Sequence, residues 1–124
     1  MGRDFRQLIA WQKADDLAVA LYEATRAFPK DETYGLRSQT RRAAVSVPAN
    51  IAEACGKRTM RDQRASYEDA LQELNELEYY IHLCQRLRYF DEVTAAGLEA
   101  LRAEAARTLD GLLKMLDRQL GRRY

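Results

Sequence analysis

Glu78 and His82 stand four residues apart in LNELEYYIHLC, a segment with helical leucine spacing, so a carboxylate and the chain's only imidazole share one helical face. Such a pair could begin a general base or a metal site. Di-iron bundles need Glu-x-x-His twice plus two further glutamates. Here position 79 is Tyr and there is no second His. A zinc site would have to draw Cys55 and Cys84 to His82, yet both cysteines fall at apolar helical positions without CxxC spacing. Ser38, Ser46 and Ser66 lack a nucleophile context of the G-x-S-x-G kind, and neither a phosphate loop nor a dinucleotide fingerprint is present. The sequence predicts no catalytic residue, no metal and no cofactor. His82 reads as a surface or interface residue, and the protein as no enzyme.

The second kind of chemistry is cationic. Between Arg37 and Arg58 lie five basic residues, Arg37, Arg41, Arg42, Lys57 and Arg58, against one acid, Glu53, and the chain closes with Arg118, Arg122 and Arg123. Six acids fall between Asp62 and Glu78, so a formal charge of only +1 hides a segregated distribution. Each charge run has a plain reading as a solvated helix face. If the chain is repeated around an axis, the eight basic residues form a rim that contacts phosphates, with salt-dependent and nearly sequence-blind affinity. Arg41 and Arg42 carry a rival reading, in which they pair with Glu53, Glu73 or Glu78 across an interface.

The elements that would hold these groups are helical throughout. Apolar positions recur at three and four, giving helices over about 8–28, 34–56, 60–88 and 92–120. The first carries Trp11, Ala14, Leu17, Ala18, Leu21, Tyr22, Thr25 and Phe28, with Pro29 as its stop and Phe5 as an anchor before it. In the second, Leu36, Thr40, Ala43, Val47, Ile51 and Ala54 point inward, and Pro48 imposes a kink that Ser46 or Asn50 can relieve by satisfying a freed backbone group. Gly56 is expected to end it in a left-handed conformation. Thr59 with Asp62 resembles a capping box, Asp91 caps the fourth helix, and Gly121 closes it. No strand pattern, repeat or low-complexity stretch is present. The fold expected is all-α, a single antiparallel up-and-down four-helix bundle over 1–124.

The segment from Ala43 to Cys55 is apolar or small except at Ser46, Asn50 and Glu53, which implies burial on more than one side. Ala44, Val45, Pro48 and Ala52 have no place in a bundle that already uses Val47 and Ile51. They are therefore expected to form a contact between copies. The 124 residues are enough for a core without disulfides, and 47% apolar with 31% charged residues are globular values. With no signal-like apolar core, no myristoylation pattern at Gly2, no membrane-length segment and two unpaired cysteines, a cytoplasmic localisation is expected.

FRQLIAWQKADDLAVALYEATRAFP and YGLRSQTRRAAVSVPANIAEACGKR resemble the first two helices of the 23S rRNA intervening-sequence (S23) family of bacterial four-helix bundles. The specific matches are Tyr34-Gly35-Leu36, Gln39, Arg41 to Ala44, Ser46, Pro48 and Asn50 to Glu53. The likeness loosens through LQELNELEYYIHLCQRLRYF, and departs at Ala49, where Ser is usual, and at Ala54, where Gly is usual. It implies a homopentameric barrel of bundles with no catalytic residues and, as partners, itself and RNA or DNA. It is also related to the accessory variability protein of diversity-generating retroelements, whose partner is a reverse transcriptase. The leading expectation is a scaffold that binds nucleic acid, structured RNA first; the alternative is a protein-interaction module beside a reverse transcriptase.

Overall fold

The computed structural model describes residues 4–123, with side chains described for 4–121. Four helices follow in order: α1 Ile9–Ala24, α2 Leu36–Cys55, α3 Met60–Arg86 and α4 Glu92–Arg123. Single 3-10 turns at Phe5–Gln7 and Lys30–Glu32 precede α1 and α2, and no strand occurs among the described residues. Each helix packs against its two neighbours, in the cyclic order α1, α2, α3, α4 and back to α1. The result is an antiparallel four-helix bundle. No helix among the described residues is long and apolar enough to cross a membrane.

One apolar core runs through the bundle. Leu17 and Leu21 of α1, Val47 and Ile51 of α2, Leu74 and Leu77 of α3 and Leu109 of α4 are almost completely enclosed. Free Cys55 and Cys84 are both buried, and burial pushes the Cys84 thiol up to about 11. Phe5 packs edge-to-face on Trp11 at 5.0 Å, the anchor expected of it.

The ends of the helices depart from the sequence expectation in ways that have local causes. Helix α1 stops at Ala24, four residues before Phe28. Thr25 adopts φ −92°, ψ −1°, and its hydroxyl donates to the Leu21 carbonyl at 2.8 Å. The chain then turns so that Phe28 faces inward and meets Tyr89 and Phe90 at 5.0 and 5.3 Å. Gly56 is right-handed (φ −91°, ψ −5°), not left-handed. The left-handed residue is Arg88, at φ 65°. It follows the end of α3, and the Tyr89 N–H reaches back to the Cys84 carbonyl at 2.8 Å in the manner of a Schellman cap. Thr59 and Asp91 do cap, accepting from the N–H of Asp62 at 3.1 Å and of Thr94 at 2.7 Å. Helix α4 passes through Gly121 to Arg123, since a lone glycine weakens a helix without stopping it.

A larger correction concerns α2. Ala44 and Pro48 are buried inside the single bundle, so they cannot serve as a surface between copies. Two adjoining rows of this helix are enclosed, because small side chains let α1 and α3 approach it from both sides. Of the four residues expected at an interface, only Val45, at 45% exposure, and the half-buried Ala52 remain accessible. Near the proline, the Asn50 amide donates to the Ser46 carbonyl at 2.9 Å. That bond does not reach the Ala44 carbonyl, the group that Pro48 deprives of its donor.

Two stability outcomes are expected at fixed protein concentration. Leu77→Ala removes a fully enclosed side chain and should lower the unfolding free energy by about 2–5 kcal/mol in a urea titration. Arg88→Gly relieves a left-handed non-glycine residue and should raise it by about 1 kcal/mol.

Candidate nucleic-acid interface

The basic residues divide between the two ends of the bundle. Arg37, Arg41 and Arg42 occupy the first turns of α2, and Lys57 and Arg58 follow its last turn, about 30 Å away at 1.5 Å per residue. At the second end the Arg64 guanidinium on α3 grips Asp117 of α4, with Nη2 to Oδ2 at 3.3 Å. That contact puts the last turns of α4, which carry Arg118, at the same end of the bundle as Lys57 and Arg58. The side chains of Arg122 and Arg123 lie outside the described residues.

Several cations on the bundle surface have a carboxylate partner. Lys57 meets Glu53 at 3.3 Å, and Lys13 meets Glu104 at 2.8 Å. Arg102, only 7% exposed, holds Glu99 in a two-pronged bond of 2.8 and 2.7 Å and lies 3.4 Å from Glu78. This arginine is buried on α4, a place that an apolar stripe at helical spacing does not assign to a charged residue. Glu99 three residues earlier was its available signal. Because Glu78 turns to Arg102, it does not make an ion pair with His82. His82 is exposed, on a groove of about 650 Å³ between α3 and α4 that it shares with Glu78, Glu92 and Glu99. No three metal-capable side chains converge among the described residues.

At the α2 N-terminus the arrangement is different. None of Arg37, Arg41 and Arg42 forms an ion pair among the described residues. Arg41 is fixed in place: Nε donates to the Thr25 hydroxyl at 2.8 Å, Nη2 donates to the Tyr22 carbonyl at 3.0 Å, and the guanidinium lies 4.5 Å over the Tyr22 ring. It thus binds one carbonyl that α1 leaves free at its end and the Thr25 hydroxyl, rather than a glutamate within the bundle. Arg37 donates through Nη2 to the Thr33 hydroxyl at 3.3 Å, while its Nε is enclosed without an acceptor. Arg42 is exposed on the side of α3, where it eases the Glu73 carboxyl that burial otherwise pushes up. The sequence reading missed Tyr22 and Tyr34, which share this corner; Tyr34 is 94% exposed.

The corner is built by Glu32. Its carboxylate accepts from the Leu36 N–H at 2.9 Å, capping α2, and from the Tyr89 hydroxyl at 2.8 Å. Gly35 makes room for that return, since a Cβ there would meet Glu32 Oε1 at 2.5 Å. The Leu36 N–H first, and the Tyr89 hydroxyl second, hold the Glu32 carboxyl below its ordinary range.

The family described as 23S rRNA-intervening sequence protein matches residues 6–111 of the chain. No functionally curated protein matches it. Among solved structures, the chain is similar to a protein of unknown function from the S23 ribosomal protein family of Bacteroides thetaiotaomicron. The TM-score is 0.77 at 24% identity, covering 86% of this chain and 99% of that one. At that identity the likeness speaks for the fold alone.

Because the Glu32 pKa is lower folded than unfolded, its contribution is present above the ordinary carboxylate range and is lost as pH falls through the depressed value. Glu32→Ala should therefore melt below the parent at neutral pH, and the gap should close on acidification. Thermal melts of both proteins across an acid series check this.

Proposed function

The chain belongs to the 23S rRNA-intervening sequence protein family, and from that premise we propose that it is a non-enzymatic homo-oligomeric scaffold, a pentamer, that binds nucleic acid. Structured RNA is the first choice of ligand, and phosphates are the groups contacted. The observation that carries this reading is the grouping of three arginines without a carboxylate partner on one cleft at the start of α2. Arg64, Arg102, Lys13 and Lys57 are each matched by a carboxylate within the bundle. Arg37, Arg41 and Arg42 are not, and neither are the exposed Arg58 and Arg118. Guanidiniums not neutralised by a carboxylate keep their charge for phosphate oxygens from outside.

Assembly matters because the chain has a formal charge of only +1. One copy offers a few phosphate contacts at two ends of a bundle, whereas several copies repeat them on one object. Val45 and Ala52 on the outer side of α2 remain the accessible part of the surface assigned to contact between copies. No bound group is needed in this reading, and no cofactor takes part.

The test is binding of a structured RNA and of a DNA duplex across a salt series, with nuclease-treated protein of measured native mass. The logarithm of affinity should fall with the logarithm of salt by about 0.9 per duplex phosphate contact. A slope larger than one protomer's contacts could supply indicates that several protomers engage together. Arg42→Glu combined with Arg58→Glu and Arg118→Glu should abolish binding while helix content is kept. Absence of binding at low salt would overturn the reading in favour of a purely protein-binding role. Val45→Glu, at a position that a single bundle leaves open, should reduce the native mass to one chain of 14.3 kDa without loss of helix content.

A further inference from the structure

Tyr22, Thr33, Tyr34, Arg37, Ser38, Arg41 and Arg42 enclose a cleft of about 390 Å³ at the start of α2. That volume lies at the lower end of small-molecule sites, about 300–1,000 Å³. It is rich in donors. Arg41 is held rigid by Thr25 and Tyr22, and its Nη1 has no partner among the described residues. Arg37 has an enclosed Nε without an acceptor, and Ser38 adds a hydroxyl. The nearest acids of the turn are Asp31 and Glu32. The Glu32 carboxylate is engaged by the Leu36 N–H and the Tyr89 hydroxyl, and Asp31 is exposed without an ion pair. Three positive charges on one short stretch therefore stand around a concavity, none of them in an ion pair among the described residues, while Arg42 also feels the Glu73 carboxylate of α3.

Tyr34 supplies the second half of the argument. A single exposed aromatic is ordinary on its own. This one keeps 94% of its surface open, makes no ring contact with another aromatic, and lies on the same cleft as the three guanidiniums. Packing gives no account of it. A planar, open phenol ring beside a phosphate-seeking group has the composition of a site for a nucleotide: cations for the phosphate, a ring face for the base.

We propose that this cleft binds one unpaired nucleotide, its phosphate held by Arg37, Arg41, Arg42 and Ser38 and its base stacked on Tyr34. The inference rests on the nucleic-acid reading above and sharpens it. A base within a duplex is stacked on its neighbours and offers no face to Tyr34. The cleft therefore favours loops, bulges and single strands over uninterrupted helix.

The experiment uses the full chain with four probes: a single-stranded RNA, the same strand in a duplex, an abasic strand of equal length and charge, and the single strand in a salt series. Wild type should prefer the single strand to both the duplex and the abasic strand. Tyr34→Ala should weaken binding of the single strand about five- to hundredfold, the range for loss of one stacked base. Its salt slope and its affinity for duplex and abasic strand should stay unchanged, and Tyr34→Phe should keep wild-type affinity. Arg42→Ala should instead lower all affinities and reduce the single-strand slope by about 0.7. Tyr34 is almost wholly exposed, so its variants do not place folding at issue. If Tyr34→Ala binds the single strand as wild type does, the inference falls while salt-dependent binding still upholds the scaffold. If wild type binds none of the probes, both fall.

Discussion

Helix α2 has to be buried along two adjoining rows, and the rest of the bundle depends on that constraint. Ala43 with Ala44, Val47 with Pro48 and Ala54 with Cys55 form neighbouring pairs along the helix, all enclosed. Small side chains at these places bring α1 and α3 close on either side. Larger residues there would overfill the space. A proline inside the helix removes one backbone bond, and a helix packed on two sides has the tertiary support to withstand the loss. Ends matter equally. Glu32 and Gly35 fix where α2 begins, and Arg41 ties it to the last turn of α1 through Thr25 and Tyr22. The position of the basic corner thus follows from the packing of the helix that carries it.

The helices themselves were legible in the amino-acid sequence because their stripes are long and regular. Tyr67, Ala70, Leu71, Leu74, Leu77, Ile81 and Cys84 stand at helical spacing, and all are buried except Leu71, which is half-buried at the edge of the stripe. Thr59 and Asp91 were legible too, since a cap depends on residue type and local position alone. What was not legible depends on the third dimension. Ala44 and Pro48 look surplus if a helix has one inward row, and become core only once two neighbours flank it. A left-handed conformation at Gly56 was expected from residue type. It falls instead on Arg88, where the Tyr89 bond to Cys84 and the aromatic packing around Phe28 outweigh the local preference.

The same divide runs through the charged residues. Sequence spacing puts Lys57 four residues after Glu53, and the structure joins them although Lys57 lies just past the end of α2. It cannot show Arg64 reaching Asp117, fifty-three residues away, or Arg102 lying buried between Glu99 and Glu78. Nor does it distinguish Arg41, which is bound to α1, from Arg42, which is exposed, although the two are adjacent. Successive helical residues are turned by about 100°, so one faces α1 and the other looks toward α3. The three arginines of the run therefore differ in what else holds them, although all three line the same cleft.

Arg41 makes that last point concrete. Its guanidinium already has two donors engaged and its face over Tyr22, so its removal would loosen the end of α1 as well as withdraw a cation. A loss of nucleic-acid affinity on changing Arg41 would mix those two effects. Arg42 and Tyr34 carry no such structural duty, being exposed and without ion pairs or ring contacts among the described residues. The corner separates its roles by exposure: the buried rows of α2 set the geometry, Arg41 fixes the corner, and Arg42 and Tyr34 beside it are left open. Rigid placement of that corner lowers the entropy lost on binding. On the proposed reading, three arginines on such a corner take up a phosphate without a high net charge on the chain.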